Sequence, residues 1–266
     1  MPQEPKDWQA FHKRRSQLEP PFRLDQATVD EFKKLILGHD AHVLELGVTP
    51  ELAQLGQTLT AIDWSANMPE HIRPGDTPTR RAVLSDWRTM PAFDPAPTAV
   101  VGDGSLGCTA WPEPYEQVFA RLKAVLSKGA RIVIRCYISP DHPEEIIEIA
   151  DDVNAGNMLG FHAFKLRLAM AVASENGGPN VVVKDILTRF NEVFPDRLAL
   201  AKNTGWSLER IGEMDAYNNS EAIYSFATRK QVVQIIPSGF SNVHFVDAGK
   251  YELSERCPLL VMDFTP

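Results

Sequence analysis

Two apolar segments of the chain end in residues that are suited to bind a ribose-containing ligand. Residues 43–47 read Val-Leu-Glu-Leu-Gly, and residues 59–63 read Leu-Thr-Ala-Ile-Asp. A glycine after a buried strand lets the backbone turn close to a ligand, and a carboxylate after the next strand can accept hydrogen bonds from a ribose diol. Glu45, Gly47 and Asp63 are therefore candidate residues for binding a nucleoside-containing cofactor. The alternative is an ordinary βαβ unit whose acids cap helices.

The interval between these segments has room for a turn, a short helix and a returning strand. Residues 50–56 predict the helix, with Thr49 as its N-cap, Pro50 at the first helical position and Gly56 beyond its end. Two neighbouring parallel strands are the expected result.

Strands and helices continue to alternate further along the chain. Residues 80–86, 98–103 and 130–136 predict three more strands, and residues 115–126 carry apolar side chains at helical spacing. This alternation predicts a doubly wound α/β sheet, which binds ligands beyond the carboxyl ends of its strands. Four more candidate residues follow such ends: Asp86, Trp87, Asp103 and Gly104.

These segments, taken together, resemble a known family. The order Leu-Glu-Leu-Gly, Ala-Ile-Asp, Ser-Asp-Trp-Arg-Thr-Met-Pro, Val-Val-Gly-Asp-Gly-Ser-Leu and Leu-Ser-Lys-Gly-Ala-Arg-Ile-Val-Ile-Arg resembles a class I S-adenosylmethionine-dependent methyltransferase. The resemblance covers about residues 42–138. It implies a mostly parallel, seven-stranded Rossmann-like sheet and S-adenosyl-L-methionine as the cofactor. The implied reaction is direct in-line methyl transfer to a small-molecule acceptor that the sequence does not identify.

The resemblance also implies a role for each candidate residue. Asp63 would hold the ribose hydroxyls, and Asp86 with Trp87 would flank the adenine. The methionine part and the sulfonium would lie beside the other four: Glu45, Gly47, Asp103 and Gly104. Cationic sulfonium and ammonium groups favour carboxylates, whereas a dinucleotide pyrophosphate favours bare amides and positive charge.

The turn after the first strand departs from the glycine-rich pattern of this family. Only Gly47 is kept, because Val48 and Thr49 carry side chains and Pro50 lacks an amide donor. Either the turn follows a different path around the same cofactor, or the protein is a non-catalytic binding or scaffold protein of the same fold. The acids at the other strand ends favour the first interpretation.

A second glycine pattern indicates a different enzyme class. Residues 102–107 read Gly-Asp-Gly-Ser-Leu-Gly, which satisfies the G-x-G-x-x-G pattern of dinucleotide-binding proteins. No helix opens directly at Gly107, and the next strand, residues 132–136, ends without an acid for the ribose. An NADP-dependent oxidoreductase remains the enzymatic alternative, since the basic Arg135 could suit a 2′-phosphate.

The region after the fifth strand predicts an insertion. Residues 141–220 are mainly helical in pattern, which predicts a cap over the carboxyl edge of the sheet that determines acceptor choice. A dimerisation insert, and so a homodimer, is the alternative. The remaining chain divides into three parts: an N-terminal helical segment over residues 1–40, the cofactor-binding core over 41–140, and a helix with two antiparallel edge strands over 221–266.

Composition bounds the partners of the chain. The net charge of −8 over 266 residues and a pI near 5.4 argue against a broad nucleic-acid surface. The three cysteines are far apart, and no apolar run reaches membrane-spanning length. Without a signal-peptide pattern at its start, the chain is expected in the cytoplasm. His142 and His162 are weak candidates for a catalytic base, and no metal-ligand set is visible.

Overall fold

A computed structural model describes residues 17–36, 40–65 and 75–266 of the protein. It contains nine strands in this part of the chain: β1 (His42–Leu46), β2 (Thr58–Asp63), β3 (Arg80–Leu84), β4 (Ala99–Asp103), β5 (Arg131–Arg135), β6 (Asn180–Val182), β7 (Ile223–Ser225), β8 (Phe240–Val246) and β9 (Leu259–Phe264). Seven of them form one sheet in the order β3-β2-β1-β4-β5-β9-β8.

The first five strands of this sheet are parallel, and β9 runs antiparallel to both of its neighbours, β5 and β8. The chain runs outward from β1 to β2 and β3, then returns to the other side of β1 for β4 and β5. The order therefore reverses beside β1. The predicted doubly wound, mostly parallel, seven-stranded sheet with a final antiparallel pair is confirmed.

The described residues form eight α-helices, and α1 and α2 pack against opposite faces of the sheet. The helices are α1 (Gln26–Leu35), α2 (Glu113–Val125), α3 (Ile146–Asn154), α4 (Phe161–Glu175), α5 (Val183–Val193), α6 (Arg197–Thr204), α7 (Leu208–Gly212) and α8 (Arg229–Gln234). Alternate strand residues such as Leu44, Val100 and Ile132 share an apolar cluster with α2. Strand residues that point to the opposite face, including Val43 and Val101, share a second apolar cluster with α1. Burying each such side chain stabilises the fold by about 1.5–3 kcal/mol.

The prediction of a helix over residues 50–56 is wrong. The structure has only a three-residue 3₁₀ turn, Pro50–Leu52, and the Thr49 side chain makes no capping hydrogen bond. Gly56 then adopts φ +65°, and a Cβ there would lie 2.5 Å from the Ala41 carbonyl oxygen. So short a connection, returning so close to the start of β1, leaves no room for α-helical turns.

Five helices, α3 to α7, follow β5 with a 3₁₀ segment, Glu213–Tyr217. They form an apolar cluster of their own that includes Phe164, Phe190 and Ile211. The helical character predicted for residues 141–220 is therefore present. The small antiparallel sheet of β6 and β7 was not predicted, since three-residue strands carry too little alternation to be read from sequence.

The described part of the N-terminal segment, residues 17–36 and 40, is only partly helical. Asp25 caps α1 by accepting a hydrogen bond from the Thr28 amide. Residues 17–25, by contrast, form turns and irregular backbone that crosses onto the cap helices. Residues 1–16 lie outside the described part of the chain.

Candidate cofactor and acceptor site

The register of the sheet brings the ends of three strands, β1, β2 and β4, to one level. Leu46 pairs with Ile62 on one side and with Gly102 on the other. The residues that follow, Gly47, Asp63 and Asp103, therefore stand side by side. Gly47 places no side chain between the two carboxylates. The reversal of strand order is where α/β sheets bind ligands.

The Asp63 carboxylate has a defined orientation. Its side chain is only 7% exposed, and Oδ1 accepts a hydrogen bond from the Ser65 amide at 2.8 Å. Strand alternation places it on the same sheet face as Asp103 and, one pair of residues deeper, Glu45. Three of the predicted cofactor residues therefore face the same side of the sheet.

Glu45 holds the glycine-poor turn. It is buried, and Oε1 accepts a short hydrogen bond from the Thr49 amide. Gly47, at φ +104°, donates its amide to the Ile62 carbonyl at 2.8 Å. A carboxylate and one left-handed glycine thus shape this turn.

Trp87 lies beside the same turn. Its Nε1 donates to the Ile62 carbonyl at 2.7 Å, and its ring lies 3.9 Å from where a Cβ at Gly47 would stand. The indole is therefore fixed between the ends of β1 and β2. The structure brings Trp87 to the candidate site, and its contact with adenine stays a prediction.

Asp86 is engaged by its own loop. Oδ1 accepts from the Arg88 amide at 2.8 Å and from Arg88 Nε at 2.9 Å, and Oδ2 pairs with Nη2. The Arg88 guanidinium holds the pKa of Asp86 below its ordinary value, against the opposing effect of burial. The predicted hydrogen bond from an adenine amine would have to share these oxygens.

Asp103 forms a buried ion pair that the sequence reasoning missed. Arg135 is 0% exposed and donates Nε to Asp103 Oδ1 at 2.6 Å, Nη1 to the Tyr251 hydroxyl at 3.0 Å, and Nη2 to the Tyr137 hydroxyl at 3.2 Å. Burial alone would lower the pKa of Arg135, but the charge of Asp103 keeps it well above the ordinary value. The two residues end adjacent strands in register, a pairing that is apparent only in the folded sheet. The charge of Asp103 is thus largely neutralised by Arg135.

Tyr137 packs onto Gly104. This glycine has φ +64°, and a Cβ there would lie 2.6 Å from Tyr137 Cε2. Gly104 also donates its amide to the Arg135 carbonyl at 3.0 Å. The glycine is needed both for its backbone angle and for the approach of the ring.

The glycine pattern over residues 102–107 lacks the context of a dinucleotide site. It leads into a three-residue 3₁₀ turn, Leu106–Cys108, and α2 begins only at Glu113. The Tyr137 ring also lies 3.4 Å from where a Cβ at Gly107 would stand. The segment packs against protein instead of opening a helix toward a pyrophosphate.

Cys108 ends the 3₁₀ turn that follows β4. Its side chain is exposed, yet desolvation by the surrounding protein raises the pKa of the thiol to about 12, with smaller contributions from the charges of Asp63 and Asp103. Cys108 therefore lies near both carboxylates at the strand ends. Sequence reasoning had given Cys108 no role.

The cap holds a buried group of aromatic and cationic side chains. Burial raises the pKa of Tyr217, and the charges of Glu213 and then Cys108 raise it further. Lys165 of α4 places Nζ 4.7 Å from the Tyr217 ring centre and 5.7 Å from that of Phe22. The Lys165 ammonium therefore lies between a ring of the cap and a ring of residues 17–25.

The two candidate histidines have different surroundings. His162 is buried, its Nδ1 accepts from the Glu19 amide at 3.0 Å, and its Nε2 lies 3.0 Å from Glu213 Oε2. Both ring nitrogens are therefore occupied: the Nδ1 bond ties residues 17–25 to the cap, and the Nε2 contact lies within the cap. His142 is exposed on the segment between β5 and α3. The structure does not bring the two histidines together.

Residues 17–36, 40–65 and 75–266 hold no group of three or more His, Cys, Asp and Glu side chains arranged for a metal. In the same ranges, no helix is both long and apolar enough to cross a membrane.

Comparisons with known proteins identify the fold. No family model matches the chain, and no curated protein matches it by sequence. Among solved structures, a Rhodobacter sphaeroides protein named as a Zn-dependent alcohol dehydrogenase is 11% identical, with TM-score 0.60 and coverage of 98% of this chain and 97% of that one. A chain from the complex of the Haloferax volcanii Trm112 methyltransferase activator with a methyltransferase is 10% identical, with TM-score 0.57 and coverage of 98% and 96%.

A third structure carries a ligand. Burkholderia thailandensis 1,6-didemethyltoxoflavin-N1-methyltransferase, with bound 1,6-didemethyltoxoflavin and S-adenosylhomocysteine, is 14% identical, with TM-score 0.52 and coverage of 98% of this chain and 87% of that one. Identities this low establish a shared fold and no more. Together with the strand order and its antiparallel β9, they show that this chain has the class I S-adenosylmethionine-dependent methyltransferase fold.

Proposed function

We propose that the protein transfers a methyl group from S-adenosyl-L-methionine to a small-molecule acceptor. The observation that carries this proposal is the level placement of Gly47 between Asp63 and Asp103 at the reversal of strand order. The Burkholderia enzyme of the same fold, which holds S-adenosylhomocysteine, supports it. The turn is short of glycines, but Glu45 and Gly47 shape it through their own hydrogen bonds.

The donor set suits a cation that carries a nucleoside. Asp63 would bind the ribose hydroxyls, and Trp87 and Asp86 would flank the adenine. The methionine part would lie along Glu45, Gly47, Asp103 and Gly104. Two buried or nearly buried carboxylates, Glu45 and Asp63, favour a cationic ligand here, whereas a pyrophosphate would meet repulsion.

S-adenosyl-L-methionine would supply an activated methyl group. The acceptor's lone pair forms the new bond to the methyl carbon while the carbon–sulfur bond breaks and its electron pair passes to sulfur. The protein's task is alignment and exclusion of water. The sheet edge would hold one reactant and the cap over residues 141–220 would hold the other. No positioned base is required unless the acceptor arrives protonated.

The direct test of this assignment is the Asp63→Ala variant. Loss of charge-assisted hydrogen bonds to the ribose is expected to cost about 1.5–3 kcal/mol, or roughly 10- to 150-fold in the affinity for S-adenosylhomocysteine. Isothermal titration measures this. Asp151→Ala, which removes an exposed acid from α3, is the matched control and should bind like the unchanged protein. Equal affinity in Asp63→Ala and the control would refute the assignment.

Four further statements stay predictions beside this proposal. They are the division of the chain at residues 40, 140 and 220, the role of the cap in acceptor choice, a homodimer, and a cytoplasmic location. The two alternatives predict different results. An NADP-dependent oxidoreductase would bind NADPH, and a scaffold protein would show no turnover.

A further inference from the structure

A cavity lies where the cap meets the core, and none of the candidate cofactor residues lines it. Its volume is about 160 Å³. Its walls come from both parts of the chain, since Ser139 follows β5, Ser174 lies on α4, Gln231 lies on α8 and Arg256 precedes β9. An apolar cavity of about this size can hold one six-membered ring. The cavity therefore has room for a small ligand that touches the cap and the core at once.

Part of the cavity wall is apolar. Met170 of α4 is 3% exposed, Phe226 after β7 is 4% exposed, and Pro140 lies half-buried after β5. Proline has a fixed φ and no amide donor, and the thioether and phenyl groups present only weakly polar surfaces. Surfaces of this kind pack well against the face of a flat ring.

Gln231 supplies a hydrogen-bond donor of known orientation. Its Oε1 accepts from the Thr228 amide at 2.8 Å, in the capping box that starts α8. The side-chain nitrogen of an amide cannot accept from a backbone N–H, so this bond fixes which end of the side chain is oxygen. The capping bond uses only that oxygen, and the Nε2 end of the amide remains for a ligand in the cavity.

The buried charges at the cavity are already paired. The Glu144 carboxylate lies 2.6 Å from Arg256 Nη1 and, through its other oxygen, 2.6 Å from Arg167 Nη2. Arg167 also lies 2.7 Å from Asp152. Burial opposes the ionisation of Glu144, but hydrogen bonds from both arginines hold its pKa below the ordinary value. Asp141, the remaining charged residue of the lining, is exposed to solvent, which screens its charge.

We infer that this cavity binds a small, neutral, planar ring that accepts hydrogen bonds through a carbonyl group, as a cyclic amide does. The ring packs against Met170 and Phe226, and its carbonyl oxygen accepts from Gln231 Nε2. A charged ligand would leave water without meeting an unpaired countercharge, which is costly. The inference goes beyond methyl transfer and does not rest on it.

Three probes of similar size test the class of the ligand. They are 2-pyridone, a neutral cyclic amide, N-methylpyridinium, a cation, and 2-furoate, an anion. Each is titrated into the unchanged protein and followed by NMR. We expect saturable binding of 2-pyridone with a Kd of roughly 1 mM or lower, and binding of both charged probes that is at least about tenfold weaker. Because 2-pyridone joins cap to core in the folded state, it should also raise the melting temperature.

Ser174→Leu tests the location of the site. The larger side chain fills the cavity and should weaken 2-pyridone binding at least about tenfold. Thr188→Leu places the same side chain on α5, at an exposed position outside the lining, and should bind 2-pyridone like the unchanged protein. Circular dichroism checks that both variants fold.

Gln231→Glu tests the donor without removing the cap. Glutamate keeps an oxygen for the Thr228 amide, as in a standard capping box, but replaces Nε2 by a carboxylate oxygen. The variant should bind 2-pyridone about tenfold more weakly and N-methylpyridinium more tightly. A residue that only caps α8 would leave both affinities unchanged.

Three results would overturn the inference. They are the absence of saturable 2-pyridone binding, equal affinity for either charged probe, and unchanged 2-pyridone affinity in a folded Ser174→Leu variant. Where that variant does not fold, Gln231→Glu and the preference among the probes decide the matter. S-adenosylhomocysteine takes no part in these titrations, so their failure leaves the proposed function standing.

Discussion

Arg135→Met is expected to destabilise the protein by about 3–5 kcal/mol, the usual cost of removing one partner from a buried ion pair. Arg135 is fully buried, and its guanidinium reaches Asp103, Tyr137 and Tyr251. Methionine fills the space but leaves the Asp103 carboxylate, 8% exposed, without its countercharge. Urea unfolding followed by circular dichroism measures the loss in free energy of unfolding.

Two comparisons make this measurement specific. Arg88→Met breaks an exposed arginine–aspartate pair and should cost less than about 1 kcal/mol. Adding Asp103→Asn to Arg135→Met removes the stranded charge and should restore part of the lost stability. A loss of under 1 kcal/mol in Arg135→Met, or no recovery in the double variant, would show that the pair does not organise the carboxyl edge.

Gly104→Ala is expected to cost about 2–5 kcal/mol. A left-handed backbone angle costs a non-glycine residue about 1–2 kcal/mol, and overpacking adds about 1–3 kcal/mol. Both apply here, because φ is +64° and the new Cβ would stand 2.6 Å from Tyr137 Cε2. The ring must move, so the near-ultraviolet circular dichroism of the tyrosines should change together with the stability.

Gly177→Ala separates the two contributions. Gly177 has φ +84°, but nothing lies within 4 Å of the Cβ position. Its alanine variant should therefore show the backbone cost alone, about 1–2 kcal/mol. Equal losses in the two variants would mean that the Tyr137 ring yields freely and does not press on the end of β4.

The parts of the fold that could be predicted are those that local pattern determines. Continuous apolar runs marked the buried parallel strands, and the helix expected within residues 221–266 forms as α8, which starts at a capping box of Thr228 and Gln231. Their order along the chain then placed Asp63 and Asp103 at the same edge of the sheet. Strand ends are local features, so residues that follow them can be found without knowing distant contacts.

The parts that could not be predicted depend on contacts between distant segments. Arg135 reads as an ordinary basic residue until β4 and β5 are set in register beside each other. Lys165 reads as one polar position in a helix, and only the folded cap brings Phe22 and Tyr217 around it. The prediction of a helix over residues 50–56 was wrong for a similar reason. The backbone of Gly56 packs against Ala41, and this contact between separate segments cannot be read from the local sequence.

The central claim is that the carboxyl edge of this sheet binds S-adenosylmethionine, and parallel titrations of the unchanged protein with S-adenosylmethionine, S-adenosylhomocysteine and NADPH test it most directly. The account predicts saturable heat with the first two ligands and none with NADPH, because Glu45 and Asp63 repel a pyrophosphate and residues 102–107 do not open a helix toward one. Binding of NADPH without binding of either sulfur ligand would contradict the account and favour an oxidoreductase.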